Sequence, residues 1–221
     1  MANNELNKSK LSKKTDIFLY LRMVFHRHVI NRRFSNNRIK MLETLSEIDS
    51  VIRDAKDNKW SEIENIWNTI GFCFFIVLEM MTHVEMMIFE RNKIKRIIFL
   101  RSAYTNLDLS IKDLLDLIGK KFEDCLITVG LSEKTINELD VIRNDLLEFY
   151  KKYKNEIELI IKIVSIHGAK EFNIFFSYYS SIDYSITVQV MLLFDDIVNK
   201  IGAYMKKIMM YSLEYIKKNY S

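Results

Sequence analysis

The stretch Ile97–Ile118, IIFLRSAYTNLDLSIKDLLDLI, decides the fold. Ile97, Leu100, Tyr104, Leu107, Ile111, Leu114 and Ile118 recur in it at steps of three and four. On a helix of about 3.6 residues per turn, such steps bring side chains onto one face. A half-buried strand would instead alternate at every second position, and this stretch does not. The pattern predicts a helix over about residues 93–118, with a heptad-like seam suited to bundle packing.

The same periodicity extends in both directions. Ile17, Phe18, Leu21, Val24, Phe25 and Val29 predict a helix over about residues 14–34. The polar link Ser35-Asn36-Asn37 separates it from a second helix, about 38–55, carrying Leu42, Leu45, Ile48 and Ile52. Asp57-Asn58-Lys59 is the next connector, and Ser61-Glu62-Ile63-Glu64 reads as a capping box opening a third helix that runs to about Glu90. Trp60 and Trp67, seven apart, point to one face at its start. Beyond the central seam, Gly119 is placed for a C-terminal cap, and a less regular stretch runs to Gly130. A long helix follows, from about Ser132 to His167, with the stripe Ile136, Leu139, Ile142, Leu146, Phe149, Tyr153, Ile157, Ile160 and Val164. Gly168 ends it, ahead of an aromatic cluster within residues 171–180. Asp183 is placed to cap a last helix through Ile186, Val190, Leu193, Ile197, Ile201, Tyr204 and Ile208.

Composition agrees. The 221 residues contain no proline and five glycines. Average usage would supply roughly 5% and 7%. A chain that avoids both has little use for hairpin turns or strand edges. The expectation is an all-α, elongated bundle of about six helices. It divides into a basic N-terminal helical arm, 1–58, and a bundle, 59–221.

Several function classes are set aside. There is no phosphate-binding glycine loop, dinucleotide pattern, nucleophile elbow or zinc spacing. Cys73 and Cys125 follow no metal or redox spacing and sit among apolar residues, which predicts reduced, buried thiols in a cytoplasmic protein. No signal peptide is evident. The run Ile70–Phe89 is apolar but interrupted by Glu79, His83 and Glu85, so it predicts a buried core helix rather than an integral membrane span. Among the four histidines, His26 and His28 point to different sides of a helix. Glu79 and His83 share a face, but no Glu-x-x-His motif supports a di-metal bundle. No metal and no cofactor are expected.

Charge is unevenly spread. Between Leu6 and Leu42 there are ten Lys or Arg and one acid, Asp16, although the whole chain carries only +4. Arg22, Arg27, Arg32, Arg33 and Arg38 are the candidate nucleic-acid-binding residues, with Phe25 and Phe34 available to stack on exposed bases. The same side chains also suit a solvated helix face, an acidic protein partner or an anionic membrane surface.

The stretch Tyr153–Lys170, YKNEIELIIKIVSIHGAK, resembles the signature helix of HEPN-type helical proteins. In that family an arginine precedes a histidine by five to seven positions. Ile97–Tyr104 and the opening of the last helix at Ser181 are similar in character, so the resemblance covers roughly residues 65–210. It implies a HEPN-like core, a homodimer and a toxin–antitoxin or antiviral-defence setting. Active members are metal-independent ribonucleases, in which the histidine transfers a proton and the arginine stabilises the phosphate. The resemblance would give His167 the first role. Ile161 stands six before it, however, and Lys162, five before, is the nearby cation. Lysine lacks the bidentate fork of arginine, and Arg101 of the preceding long helix is the other candidate for that charge. Two readings follow: a non-enzymatic module binding RNA or an acidic protein, and a divergent ribonuclease using His167, Lys162 and Arg101. A peripheral protein on anionic membranes is the third.

Overall fold

The computed structural model describes residues 35–90, 92–164 and 184–220. They form six α-helices and no strand. These are α1 (35–57), α2 (Ser61–Phe89), α3 (Lys93–Leu117), α4 (Lys120–Thr128), α5 (Glu133–Val164) and α6 (Tyr184–Tyr220). At about 1.5 Å per residue, α6 alone spans about 55 Å, so the bundle is elongated.

The seam that opened the reading forms the centre of the core. Leu100, Tyr104, Leu107, Ile111, Leu114 and Ile118 are each fully buried. Leu139, Leu146 and Ile157 of α5, and Val190, Ile201 and Ile208 of α6, close over it. Ile48 and Ala55 of α1 belong to the same core. Burying side chains of this size contributes about 1.5–3 kcal/mol each, the main term holding the helices together.

Polar contacts fix how neighbouring helices run. Ile48 Cγ2 lies 3.2 Å from where a Cβ on Gly71 would stand, and Arg38 reaches Glu85, so α1 and α2 are antiparallel. Tyr104 donates to Glu156 and Tyr150 to Asp108, which sets α3 against α5 in the same sense. Lys207 pairs with Glu138, and Lys200 with Asp145, between α5 and α6. Trp60 stacks on Tyr220 with ring centroids 4.4 Å apart. The start of α1, the end of α2, the start of α3, the end of α5 and the start of α6 therefore gather at one end of the bundle.

Several local expectations are corrected. Residues 35–37 are helical rather than a link. Leu42, counted in the apolar stripe of α1, is 56% exposed. The capping box does not form. Trp60 is the N-cap of α2, so Ser61 already lies inside the first turn, and its hydroxyl bonds Glu62 instead. Gly119 is not a left-handed cap: its φ is −73°, and it serves as the N-cap of α4. The reason for glycine there is close approach, since a Cβ would come 2.8 Å from the Asp116 carbonyl oxygen. The stretch to Gly130 is regular, a nine-residue helix that buries Phe122 and Leu126.

Helix ends explain where the chain turns. After α4, the Gly130 N–H donates to Ile127 O and the Leu131 N–H to Leu126 O, with Gly130 at φ +82°. This pair of bonds is the Schellman closure, and it needs a left-handed residue. The same closure ends α1: Lys59 donates to Lys56 O and Trp60 to Ala55 O. There the left-handed position, φ +60°, is occupied by Lys59.

Candidate functional site

The bundle end where five helix termini gather holds Arg38, Glu85, His83 and Ser102. Arg38 and Glu85 form an ion pair at 2.5 Å between α1 and α2. The carboxylate side chain is 16% exposed, so its charge is partly withdrawn from water and held by the guanidinium. On the other flank of α2, His83 Nδ1 lies 3.1 Å from the Ser102 hydroxyl on α3. Glu79, one turn before His83, is exposed.

A hydroxyl hydrogen-bonded to an imidazole is half of a nucleophile–base arrangement, which also needs a group orienting the base. Among the described residues, no carboxylate hydrogen-bonds the His83 ring. The pair therefore serves as a polar tie between two apolar helices. No group of three or more His, Cys, Asp or Glu among the described residues could hold a metal ion.

Arg101 stands on α3, half-buried. The register set by Tyr104–Glu156 and Asp108–Tyr150 puts it within about one helical turn of Lys162 along the bundle axis. The backbone of Lys162 belongs to the last turn of α5. The side chain of Lys162, and His167, Arg22, Arg27, Arg32 and Arg33, lie outside the described residues. Of the five candidate arginines of the arm, Arg38 is the one among the described residues, and its guanidinium is engaged by Glu85.

A shallow groove of about 340 Å³ runs between α5 and α6. Phe149 and Ile197 line it together with Asp145, Asp196, Lys152 and Lys200. Charges of both signs line it, and Lys200 is paired with Asp145, so it offers no convergent site for either an anion or a cation.

The two thiols differ. Cys73 is buried, and burial pushes its pKa up to about 12. Cys125, expected to be buried as well, is only half-buried on α4. Helix α2 joins the core along one face, through Ile63, Ile66, Trp67, Ile70, Cys73, Phe74, Ile76 and Met80. Ser61–Met86 is long and apolar enough to cross a membrane, by length and composition only. Phe72 and Phe75 point outward from it.

Arg143 is a residue that the sequence reading missed. Its guanidinium bonds the carbonyl oxygens of Ile118 and Gly119, together with Glu123 and Asp140. Asp140, three residues earlier on the same helix, is the one local sign of it. The other partners come from more than twenty positions away or close to it and become neighbours only on folding.

No family model matches this chain, and no curated protein or solved structure matches it either.

Proposed function

We propose that this chain is a non-enzymatic helical module that binds RNA through its basic N-terminal arm. One observation carries the reading. Ten Lys or Arg against one acid between Leu6 and Leu42 concentrate positive charge ahead of α1 and in its first turns, while the remainder is slightly acidic. Such a segment attracts phosphate backbones, and the interleaved Phe25 and Phe34 offer faces for base stacking. The bundle is the scaffold for the arm in this reading, with a HEPN-like ancestry and a homodimeric assembly as parts of the same proposal. Ile161 in place of the family's arginine supports a binding role over cleavage.

The second reading, a divergent metal-independent ribonuclease, is favoured by a different observation. Arg101 and Lys162 stand on neighbouring helices within about one turn of each other, five residues ahead of His167 in the case of Lys162. Either cation could neutralise a phosphate while the histidine moves a proton.

Purified, metal-free protein incubated with RNA, wild type beside His167→Ala, separates the two. Binding without cleavage, unchanged in the variant, is the expected result. Replacing Arg22, Arg27, Arg32 and Arg33 together by alanine should then weaken binding and flatten its salt dependence. Cleavage by wild type alone would establish the ribonuclease instead. Neither binding nor cleavage would direct attention to an acidic protein.

A further inference from the structure

The outer face of α6 carries a pattern that is complementary to itself. Leu192 is 61% exposed and Met210 64%, the two highest values among the large apolar side chains of the described residues. They stand 18 positions apart, five full turns, so they lie on one line along the helix. Asn199 and Ala203, both exposed, occupy that line between them. Asp195 and Lys206, also exposed, lie together on one flank of it. Among the described residues no cation pairs with Asp195, which bonds Asn199 and adjoins a second acid, Asp196. No carboxylate among them pairs with Lys206. Lys200 and Lys207 occupy the opposite flank, where Asp145 and Glu138 of α5 engage them.

We propose that two copies of this chain join through this face, with their α6 helices antiparallel and a two-fold axis passing beside Ile201. The arrangement sets Leu192 against the partner's Met210 and Asn199 against the partner's Ala203. A two-fold between antiparallel helices brings matching flanks together, so Asp195 meets the partner's Lys206, and symmetry repeats each contact. The two pairs locate the centre independently. Midway between Leu192 and Met210 is residue 201, and midway between Asp195 and Lys206 lies within one residue of it. A parallel pair would instead bring the acids level with acids and the lysines level with lysines.

Gly202 stands beside this centre, on the flank of Asp195 and Lys206. Glycine in mid-helix is destabilising relative to alanine, and a Cβ there would meet nothing within 4 Å, so no crowding among the described residues calls for it. In the pair, the missing side chain leaves room for the stem of the partner's Lys206. A contact of one helix per copy lies at the small end of stable interfaces, so the dimer is reversible. The inference rests on the homodimeric assembly proposed above and names its contact.

Sedimentation equilibrium of the full chain tests it by charge reversal. Asp195→Lys and Lys206→Asp should each raise the dissociation constant of the dimer by about tenfold or more, since each sets like charges against one another twice. Combined in one chain, the two should return it to within about threefold of wild type. A dimer that neither substitution weakens, or that the combination does not restore, overturns the inference and leaves the homodimeric reading standing. A wild-type chain that stays monomeric at about 0.1 mM overturns both, while RNA binding by the arm keeps its own test. Cross-linking gives a reading independent of charge. Leu192→Cys and Met210→Cys are made in separate chains that also carry Cys125→Ser, since Cys73 is buried. In a mixture, a short bifunctional maleimide should join the two kinds of chain to each other. It should not join either kind to itself, because the two copies of each position lie about 27 Å apart. Linking of Leu192→Cys chains to one another overturns the antiparallel arrangement.

Discussion

Arg143 Nε donates to the carbonyl oxygen of Ile118 at 2.5 Å, and so closes the C-terminal end of α3 from a different helix. The same guanidinium bonds Gly119 O at 2.8 Å and Glu123 at 2.6 Å. The last carbonyls of a helix have no partner within it, and a cation there also opposes the negative end of the helix dipole. One side chain on α5 thus fastens the corner between α3 and α4.

Arg143→Ala should lower stability by about 2–4 kcal/mol, because it removes the guanidinium from Glu123 and from the Ile118 carbonyl, while Gly119 O keeps the Glu123 N–H. Arg143→Lys should recover only part of that, since a single ammonium lacks the fork that reaches all three. Urea denaturation of the three proteins gives both numbers. Equal stability of wild type and the alanine variant would show that the corner holds without the guanidinium.

Tyr104 and Tyr204 make the fold sensitive to alkali. Both hydroxyls are removed from water, and burial raises both pKa values well above the usual tyrosine range. An unfolded tyrosine loses its proton near pH ~10, where the folded one keeps it. The unfolded state then binds fewer protons, so stability is intact below that pH and falls as pH rises above it. Each tyrosine contributes a loss of up to about 1.4 kcal/mol per pH unit. Thermal melts from about pH 9 to about pH 12 should steepen accordingly, and replacing both by phenylalanine should flatten the curve.

The two cysteines should react in a set order. Burial pushes the Cys73 thiol up to about 12. The Cys125 thiol is raised too, by burial first and then by the charge of Glu62, but it is only half-buried. Raised pKa values mean little thiolate at neutral pH, and exposure then decides the rate. Iodoacetamide on native protein should mark Cys125 first and Cys73 only after denaturation, as read by peptide mass spectrometry. Early marking of Cys73 would mean that α2 opens away from the core.

Lys59 and Gly130 occupy equivalent left-handed positions at φ +60° and +82°. A side chain costs free energy in that region and glycine does not. Lys59→Gly should therefore stabilise the protein by about 0.5–1 kcal/mol, and Gly130→Ala should destabilise it by about 1–2 kcal/mol. For a chain of this length each kcal/mol moves the melting temperature by about 2–4 °C, so opposite shifts in a thermal scan check the pair.

The helical periods of α3, α5 and α6 were legible because apolar spacing is a local property. Leu100 through Ile118 are buried as that spacing requires. Caps were read less well. Ser61 has the right neighbours for a capping box, but α2 begins one residue early, at the Trp60 N-cap, and a shift of one position removes the geometry. Leu42 fits the stripe of α1 yet stays exposed, because a stripe does not state how wide the covering helix will be. Of the site residues, Arg38 was singled out for its charge, and its partner Glu85 lies 47 positions away, beyond any pattern in the sequence.

By itself, the sequence determined the all-helical class, the faces that α3, α5 and α6 turn to the core, and the concentration of positive charge before α1. These follow from residue type and from spacing within one or two helical turns. Only the tertiary structure decided that Arg143 closes α3, that His83 ties to Ser102, and that Phe72 and Phe75 are left facing outward. Each of these depends on which helices become neighbours and in what register. That choice is made by the burial of many side chains at once, and no single stretch of the chain encodes it.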